Sequence, residues 1–311
     1  MSFSVILTTK NSGANIFNCL SSLFSSKWAG FVDEVIVGDG GSTDNTLDVV
    51  KKFDAIVMHD AGFSPYESRE MAWRYARGEY VLFLDSDVMI KDDFFSQALS
   101  FFKEPKLGML GCWGKALCTS NVSKLIGQWW DYHAMMLLSA KNEQKTQQNL
   151  LEKIYRSVVW RRSANVPVTG PCFITRRTSL ESVNGFQASI SGARQSGDLV
   201  LSLQMMKKGW KCEWWANAPM MRAAPRTFRI LTERYIRWGK ADFTSRKINP
   251  NSFQFSEPVI PRVGSPVYGV LLALRYRRPE HILVFSLANY AWICGYLTAR
   301  ILSPGQAVNS H

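Results

Sequence analysis

Gly78-Glu79-Tyr80-Val81-Leu82-Phe83-Leu84-Asp85-Ser86-Asp87 sets an unbroken apolar run, Tyr80 to Leu84, directly against two carboxylates. A run of this length, bounded by Gly78 and by charge, reads as a strand buried on both faces rather than a half-exposed one. Such strands belong to mostly parallel sheets, whose ligands gather beyond the carboxyl ends of the strands. Asp85 and Asp87 stand at such an end. Their hard oxygens, one residue apart, suit Mg²⁺ or Mn²⁺, ions that also take oxygens from a diphosphate. Neutralising a diphosphate eases its departure. Taken alone, the triplet also fits a solvated loop in which Ser86 caps a helix.

Upstream, short apolar runs alternate with amphipathic stretches, the pattern of βαβ units. Phe3 to Thr8 reads as the first strand, followed by Ile16, Leu20, Leu23 and Phe24 at helical spacing. Glu34 to Val37 is a second strand, Asp44 to Phe53 a helix with Leu47 and Val50 inward, and Ala55 to Met58 a third strand. Ser68 to Arg77 reads as a helix with Met71, Ala72 and Tyr75 on one face. Between the second strand and its helix lies Gly38-Asp39-Gly40-Gly41-Ser42-Thr43-Asp44-Asn45-Thr46. Its glycines permit a tight turn and close ligand approach, and Ser42, Thr43 or Asp44 can cap the helix. Asp39, at a strand end, is placed to accept hydrogen bonds from a nucleobase or ribose. The turn lacks the Gly-x-Gly-x-x-Gly pattern of dinucleotide sites.

Downstream, Asp92 and Asp93 precede Phe94, Phe95 and Leu99 and read as helix N-terminal charges, not ligands. Asn121 to Trp160 looks helical, with a polar break at Lys141 to Gln148; Val166 to Thr175 returns to strand character. Asp198 to Lys208 is a helix closed by Gly209. Pro258, Pro261, Gly264 and Pro266 mark a linker, after which Val267 to Leu274 and Ile282 to Ala299 are strongly apolar.

The whole chain has 311 residues, enough for one large domain with an appendage. Hydrophobic residues make up 46% and charged ones 20%, a folded rather than a disordered composition. The net charge of +12 is concentrated late: Met205 to Glu280 holds fifteen Lys or Arg against five acids. That excess would face nucleic acid, an anionic membrane or a phosphate-bearing substrate, and composition does not choose among them. Met1 to Leu7 lacks a basic region and a cleavage site, so it is expected to be a strand and to remain in the cytosol. Six scattered cysteines without Cys-x-x-Cys spacing read as reduced thiols.

With these segments in order, the chain resembles the family 2 glycosyltransferases, inverting enzymes of the GT-A fold. Ser4-Val5-Ile6-Leu7-Thr8-Thr9-Lys10-Asn11 is similar to their first strand and nucleotide-contacting turn, Val35 to Thr46 to their second, and Ser68-Arg69-Glu70 through Tyr80 to the helix entering their metal motif. Glu70 stands where the family usually has Asn. The likeness continues through Val168-Thr169-Gly170-Pro171-Cys172, Asn184-Gly185-Phe186 and Asp198 to Gly209-Trp210. The family's general base commonly sits in a Glu-Asp pair; here Gly197 replaces the Glu and Asp198 remains, a residue that also fits a helix N-cap. Arg234-Tyr235-Ile236-Arg237-Trp238 looks like the family's Gln-x-x-Arg-Trp, with Arg in place of Gln, while also fitting a plain amphipathic helix.

The resemblance implies an α/β chain: a GT-A domain, with a Rossmann-like, mostly parallel sheet and flanking helices over 1–240, and a C-terminal membrane-associated helical segment. Within it, 1–110 would be the nucleotide-binding half and 111–240 the acceptor half, followed by a linker at 241–265 and the apolar segment 266–311. Thr8, Thr9, Asn11, Asp39, Arg69, Ser86, Arg237 and Trp238 would serve the nucleotide sugar. Asp85 and Asp87 would hold Mn²⁺ or Mg²⁺ against the diphosphate. Asp198 would be the catalytic base. The donor would be a UDP-sugar, the family's commonest choice, with guanosine and thymidine donors open, and the acceptor a lipid-linked or cell-surface glycan. Nucleic acid is not expected as a partner. A sugar-1-phosphate nucleotidyltransferase and a non-catalytic nucleotide-sugar-binding scaffold subunit are the alternatives. Ile282 to Ala299, eighteen residues without a charge, fits a spanning, an interfacial or a buried helix, with Arg275, Arg277 and Arg278 placed as a cytosolic flank beside anionic lipid.

Overall fold

The structure is a computed structural model that describes residues 2–25, 30–59, 64–91, 93–139, 167–186, 197–248 and 265–302. Its strands are β1 (Phe3–Thr9), β2 (Val32–Asp39), β3 (Ile56–His59), β4 (Tyr80–Asp85), β5 (Val88–Ile90), β6 (Leu107–Leu117), β7 (Cys172–Arg176) and β8 (Lys211–Ala223). Its helices are α1 (Gly13–Leu23), α2 (Thr46–Val50), α3 (Pro65–Tyr75), α4 (Phe94–Phe101), α5 (Asn121–Ser139), α6 (Arg177–Ser182), α7 (Gly197–Lys207), α8 (Phe228–Ile248), α9 (Ser265–Tyr276) and α10 (Glu280–Leu302). The chain forms two compact units, 1–117 with 164–223 and 118–163 with 224–311.

In the first unit all eight strands join one sheet in the order β3-β2-β1-β4-β7-β6-β8-β5. β3, β2, β1 and β4 run parallel, because a helix returns the chain between each successive pair. β7 enters antiparallel between β4 and β6, and short β5 pairs antiparallel with β8. The expected run Tyr80 to Leu84 is buried on both faces, no residue in it being more than 1% exposed. Leu82 and Leu84 pack with Val5, Leu7, Ile16, Leu20 and Phe95 on one side, whereas Val81 and Phe83 meet Ile6, Ala72, Trp73 and Phe186 on the other. Period-two alternation thus feeds two helical layers from a single sheet.

A buried knot fixes the entry of β1 and β4. Ser4 Oγ and the Arg77 amide both donate to Glu34 Oε1 at 2.6 Å, and Arg77 Nε donates to Oε2 at 3.0 Å. The Gly78 amide donates to Ser4 Oγ at 2.8 Å. A Cβ at Gly78 would come within 2.5 Å of the Ser4 nitrogen, so the close approach needs glycine. Burial pushes the Glu34 carboxyl up, but the bonds from Ser4 and Arg77 outweigh it and leave the group below the usual carboxylate range.

Several local expectations need correction. α3 starts at Pro65, not Ser68: Ser64 Oγ accepts the Glu67 amide while Glu67 Oε2 accepts the Ser64 amide, a capping box that a reading of apolar periodicity passes over. Its buried face is Ser68, Arg69, Glu70, Ala72 and Trp73, leaving Met71 and Tyr75 exposed, because paired polar side chains hold it to the sheet. α2 is one short turn that buries Val49 and Val50 while Leu47 is only half-buried. Asp44 helps to begin it, accepting the Thr46 amide at 3.0 Å and the Gly13 amide at 3.1 Å. Asp93 does stand at the N-cap of α4, at φ 64° and without a side-chain cap bond. Asp92, the polar break at Lys141 to Gln148 and the Pro258 to Pro261 part of the linker lie outside the described residues.

The second unit contains α5, α8, α9 and α10. Trp129 of α5 stacks on Tyr235 of α8 and meets Phe285 of α10 edge-on, at centroid separations of 5.4 and 4.8 Å. α8 and α10 touch backbone to backbone, since a Cβ at Gly239 would meet the Trp292 carbonyl oxygen and one at Gly295 the Ile236 carbonyl oxygen, both at 2.0 Å. α8 runs on to Ile248, so the stretch from 241, expected to begin a linker, is helical and packs with α10.

Candidate active site

Parallel register lines up the expected donor residues at the carboxyl end of the sheet: Thr9 lies beside Asp39, and Thr8 beside Asp85. Asp39 is buried, and its carboxylate folds back into its own turn, Oδ2 accepting the Gly41 and Ser42 amides at 3.2 and 2.9 Å and Oδ1 the Ser42 hydroxyl at 2.5 Å. Gly41, at φ +77°, supplies the backbone conformation the turn requires. Asn11, itself left-handed at φ 49°, accepts the Thr43 amide at 2.8 Å, and its own amide donates to Ser42 Oγ at 2.9 Å. These bonds zip the β1 and β2 turns together. Thr9 Oγ1 is buried beside them with no hydrogen-bond partner.

The Asp85-Ser86-Asp87 turn follows β4. Ser86 Oγ donates to Ser12 Oγ at 2.8 Å, joining it to the β1 turn. Arg69 Nη2 donates to Asp85 Oδ1 at 2.8 Å. Its guanidinium is buried between the rings of Tyr66 and Phe173, 5.3 and 5.5 Å from their centroids, and its Nε lacks a partner. On the other side Arg222 of β8 reaches both carboxylates, Nε lying 3.3 Å from each oxygen of Asp87 and Nη2 3.4 Å from Asp85 Oδ2. Desolvation raises the Asp85 carboxyl above its usual range; Arg69 and Arg222 pull it down, and Asp87 and Asp198 push it up. Cys19, beneath the turn, is held protonated by burial first and then by the charges of Asp87 and Asp85.

Asp198, 7% exposed, opens α7. Its Oδ2 accepts the Gly170 amide at 2.6 Å, and its Oδ1 accepts the Leu199 amide at 3.0 Å and the Tyr66 hydroxyl at 3.4 Å. The helix begins one residue earlier, at Gly197, so Asp198 is an acidic residue of its first turn and not the N-cap that the sequence also allowed; its bond runs only to the adjacent Leu199 amide. Gly170 takes φ +128°, and the next residue's carbonyl, Pro171 O, accepts the Asp85 amide at 2.8 Å. One short loop therefore touches both Asp85 and Asp198.

Two departures from the family pattern acquire causes. A Cβ at Gly197 would come within 2.4 Å of the Tyr66 ring, so Tyr66 fills the room a Glu there would need. Glu70 is buried and structural: it accepts Trp73 Nε1 at 2.6 Å, Arg74 Nε at 2.7 Å and the Phe186 amide at 2.7 Å, tying α3 to the Asn184-Gly185-Phe186 turn. Sequence reasoning missed Tyr66 and Arg222 as site residues. Neither belongs to a local motif, since Tyr66 is placed by the α3 cap and Arg222 by pairing across from Val88. Arg237 and Trp238 lie on α8 in the second unit, both exposed, with Trp238 against Tyr235 at 4.8 Å between centroids.

Asp85 and Asp87 offer hard oxygen donors suited to a divalent cation. Among the described residues no third His, Cys, Asp or Glu joins them.

Residues 4–182 match the family described as Glycosyl transferase family 2. The chain is 36% identical over 110 residues to the poly(ribitol-phosphate) beta-N-acetylglucosaminyltransferase TarS of Staphylococcus aureus, covering 33% of this chain and 19% of that one. It is 23% identical over 253 residues to an N-acetylglucosaminyltransferase of Bradyrhizobium diazoefficiens, covering 77% of this chain and 48% of the relative. The matches thus span less than half the length of these relatives. Among solved structures, the mannosyltransferase PcManGT of Pyrobaculum calidifontis, in complex with GDP-Man and Mn²⁺, superposes with a TM-score of 0.61 at 14% identity, over 96% of this chain and 86% of that one. The sheet and its flanking helices are those of the GT-A fold.

Gly197→Ala is expected to destabilise the protein by about 1–3 kcal/mol through overpacking against Tyr66. In the Tyr66→Ala background the same change should cost much less, as a thermal or chemical unfolding cycle would read; strictly additive losses would show that the ring is not what excludes a side chain there.

Proposed function

The chain belongs to glycosyl transferase family 2, and on that premise we propose that it moves a sugar, with inversion, from a UDP-sugar to a hydroxyl of a lipid-linked or cell-surface glycan. The observation that carries this reading is the convergence of Asp85, Arg69, Arg222 and Asp198 at the carboxyl end of β4. A cluster of acids bracketed by guanidinium groups suits a donor whose diphosphate must be held and then released. TarS is named for transfer to poly(ribitol-phosphate), which is consistent with an acceptor of the surface-polysaccharide class.

Thr8, Thr9, Asn11 and Asp39 form the nucleotide end of the site. Arg69, whose Nε is unpartnered, is the diphosphate contact from α3. Asp85 and Asp87 would hold Mn²⁺ or Mg²⁺, with Ser86 between them fixed to the β1 turn. A bound cation there supplies charge neutralisation of the departing diphosphate. Asp198 takes the proton of the acceptor hydroxyl as that oxygen forms its bond to the anomeric carbon, opposite the leaving group. The bond from that carbon to the phosphate oxygen breaks, and its electron pair stays on the nucleoside diphosphate. Bonds from Gly170 and Tyr66 aim the Asp198 carboxylate. Arg237 would clamp the leaving diphosphate, and Trp238 would stack on an acceptor sugar.

We place the enzyme on the cytoplasmic face of a membrane, with α10 lying in the plane of the surface. By length and composition α10 could cross a bilayer. Yet one of its faces, including Val284, Phe285, Ala288, Trp292 and Tyr296, is buried, and it packs on α8, whose Arg229, Glu233, Arg234, Arg237 and Lys240 are unsuited to hydrocarbon. Its exposed residues Leu283, Tyr290, Leu297 and Ile301 recur at helical spacing, and Arg275, Arg277 and Arg278 precede it. An apolar stripe beside basic residues matches an anionic interface.

Asp198→Asn is expected to slow sugar transfer by about 10²–10⁴-fold while UDP binding stays unchanged. Full activity in that variant would remove Asp198 as the base. Pyrophosphate release from a nucleoside triphosphate by the wild type would favour a nucleotidyltransferase, and nucleotide-sugar binding without transfer or hydrolysis a scaffold subunit. For the membrane, flotation with vesicles rich in anionic lipid should carry the wild type but not Leu283→Glu/Leu297→Glu. Resistance of the membrane-bound protein to alkaline carbonate extraction would contradict an in-plane helix.

A further inference from the structure

Arg222 holds a place in the site that neither the motifs nor the charge pattern announces. Its side chain is only 18% exposed, and its Nε and Nη2 contact both Asp87 and Asp85 at 3.3–3.4 Å. The backbone fixes this arrangement: Arg222 pairs opposite Val88 across β5 and β8, and the amide of its neighbour Ala223 donates to the Asp87 carbonyl at 2.9 Å. A guanidinium thus bridges the two carboxylates that would hold a divalent cation. No third protein ligand of the His, Cys, Asp or Glu type stands by, among the described residues, to draw a cation in against that charge.

Resting on the donor-site reading above, we infer that Arg222 is a resident counter-cation that makes metal binding conditional on the donor. Without nucleotide, its charge and that of Arg69 together balance Asp85 and Asp87, and Arg222 repels a divalent ion. A diphosphate offers the guanidinium oxygens of matching fork geometry. Once Arg222 pairs with it, Asp87 and the Oδ2 of Asp85 are released, and the diphosphate supplies oxygen positions that two carboxylates cannot. Cation and nucleotide therefore bind as one unit, and the empty site does not hold the cation by itself. Arg69 keeps its 2.8 Å pair with Asp85 Oδ1 throughout, stacked against Tyr66 and Phe173, and leaves its unpartnered Nε for the diphosphate.

The test is the binding of Mn²⁺ to the full chain, followed by the loss of the free-ion electron paramagnetic resonance signal, with and without UDP. In the wild type, UDP should tighten Mn²⁺ binding by about tenfold or more, a coupling of ordinary size between linked sites. Arg222→Gln should bind Mn²⁺ without nucleotide about tenfold more tightly than the wild type and should bind UDP in the absence of metal more weakly. Arg222→Lys keeps the charge without the fork: nucleotide-free Mn²⁺ affinity should stay at the wild-type level while UDP affinity falls. That variant also serves if the glutamine form does not fold. Equal nucleotide-free Mn²⁺ affinity in wild type and Arg222→Gln, or unchanged UDP affinity in Arg222→Lys, overturns the inference. If the wild type binds no UDP even with Mn²⁺, the donor-site reading itself fails, an outcome distinct from a wild type that binds UDP with no dependence on residue 222.

Discussion

The constraint on which the rest of the first unit depends is negative charge gathered at the carboxyl end of the parallel strands of a mixed sheet. Asp85, Asp87 and Asp198 lie close enough that the latter two raise the Asp85 carboxyl, and the floor beneath them is apolar, so the charge must be met locally. It is met from both flanks, by Arg69 from α3 and Arg222 from β8. Burying Arg69 almost completely would cost on the order of several kcal/mol without such a partner. The pair therefore ties a helix to a strand end as firmly as it prepares the site. α3 is held at its other end by Glu70, which grips the 184–186 turn, and by the Ser64 capping box.

The topology explains why the acids meet at all. Parallel β1, β2 and β4 deliver Thr8, Thr9, Asp39 and Asp85 to one edge because each strand ends in the same direction. The change to antiparallel pairing at β7 brings the 170–171 loop back over that edge, where its amide reaches Asp198 and its carbonyl accepts from Asp85. β8 then closes on short β5, setting Arg222 over the turn that follows β4. An acidic cluster built from local strand ends is thus completed by residues far away in sequence.

That division also decides what the sequence could disclose. Tyr80 to Leu84 was legible as a doubly buried strand, and Asp39, Asp85 and Asp87 as strand-end carboxylates, because burial and strand termini leave local patterns. The inward face of α3 was not legible, since it buries Ser68, Arg69 and Glu70, polar residues that apolar periodicity assigns to solvent. Tyr66 and Arg222 were hidden for a different reason: each acts through contacts more than a hundred residues distant. The Gly197 that replaces a Glu before Asp198 has no cause visible in the sequence, whereas the Tyr66 ring occupies the space a side chain there would take. Helical character at Arg234 to Trp238 could be read, but its continuation to Ile248 reads as a linker in sequence, and the packing of α8 on α10 depends on Gly239 and Gly295, whose meaning emerges only when the helices cross.

The central claim is that the end of β4 is a nucleotide-diphosphate site in which Asp87 carries the metal-dependent part of donor binding. Titration calorimetry of UDP against the wild type and Asp87→Ala, each with and without Mn²⁺, tests it most directly. The account predicts that Mn²⁺ strengthens UDP binding in the wild type and that Asp87→Ala loses that gain, about tenfold or more in Kd. A variant that keeps the full Mn²⁺-dependent affinity would contradict it.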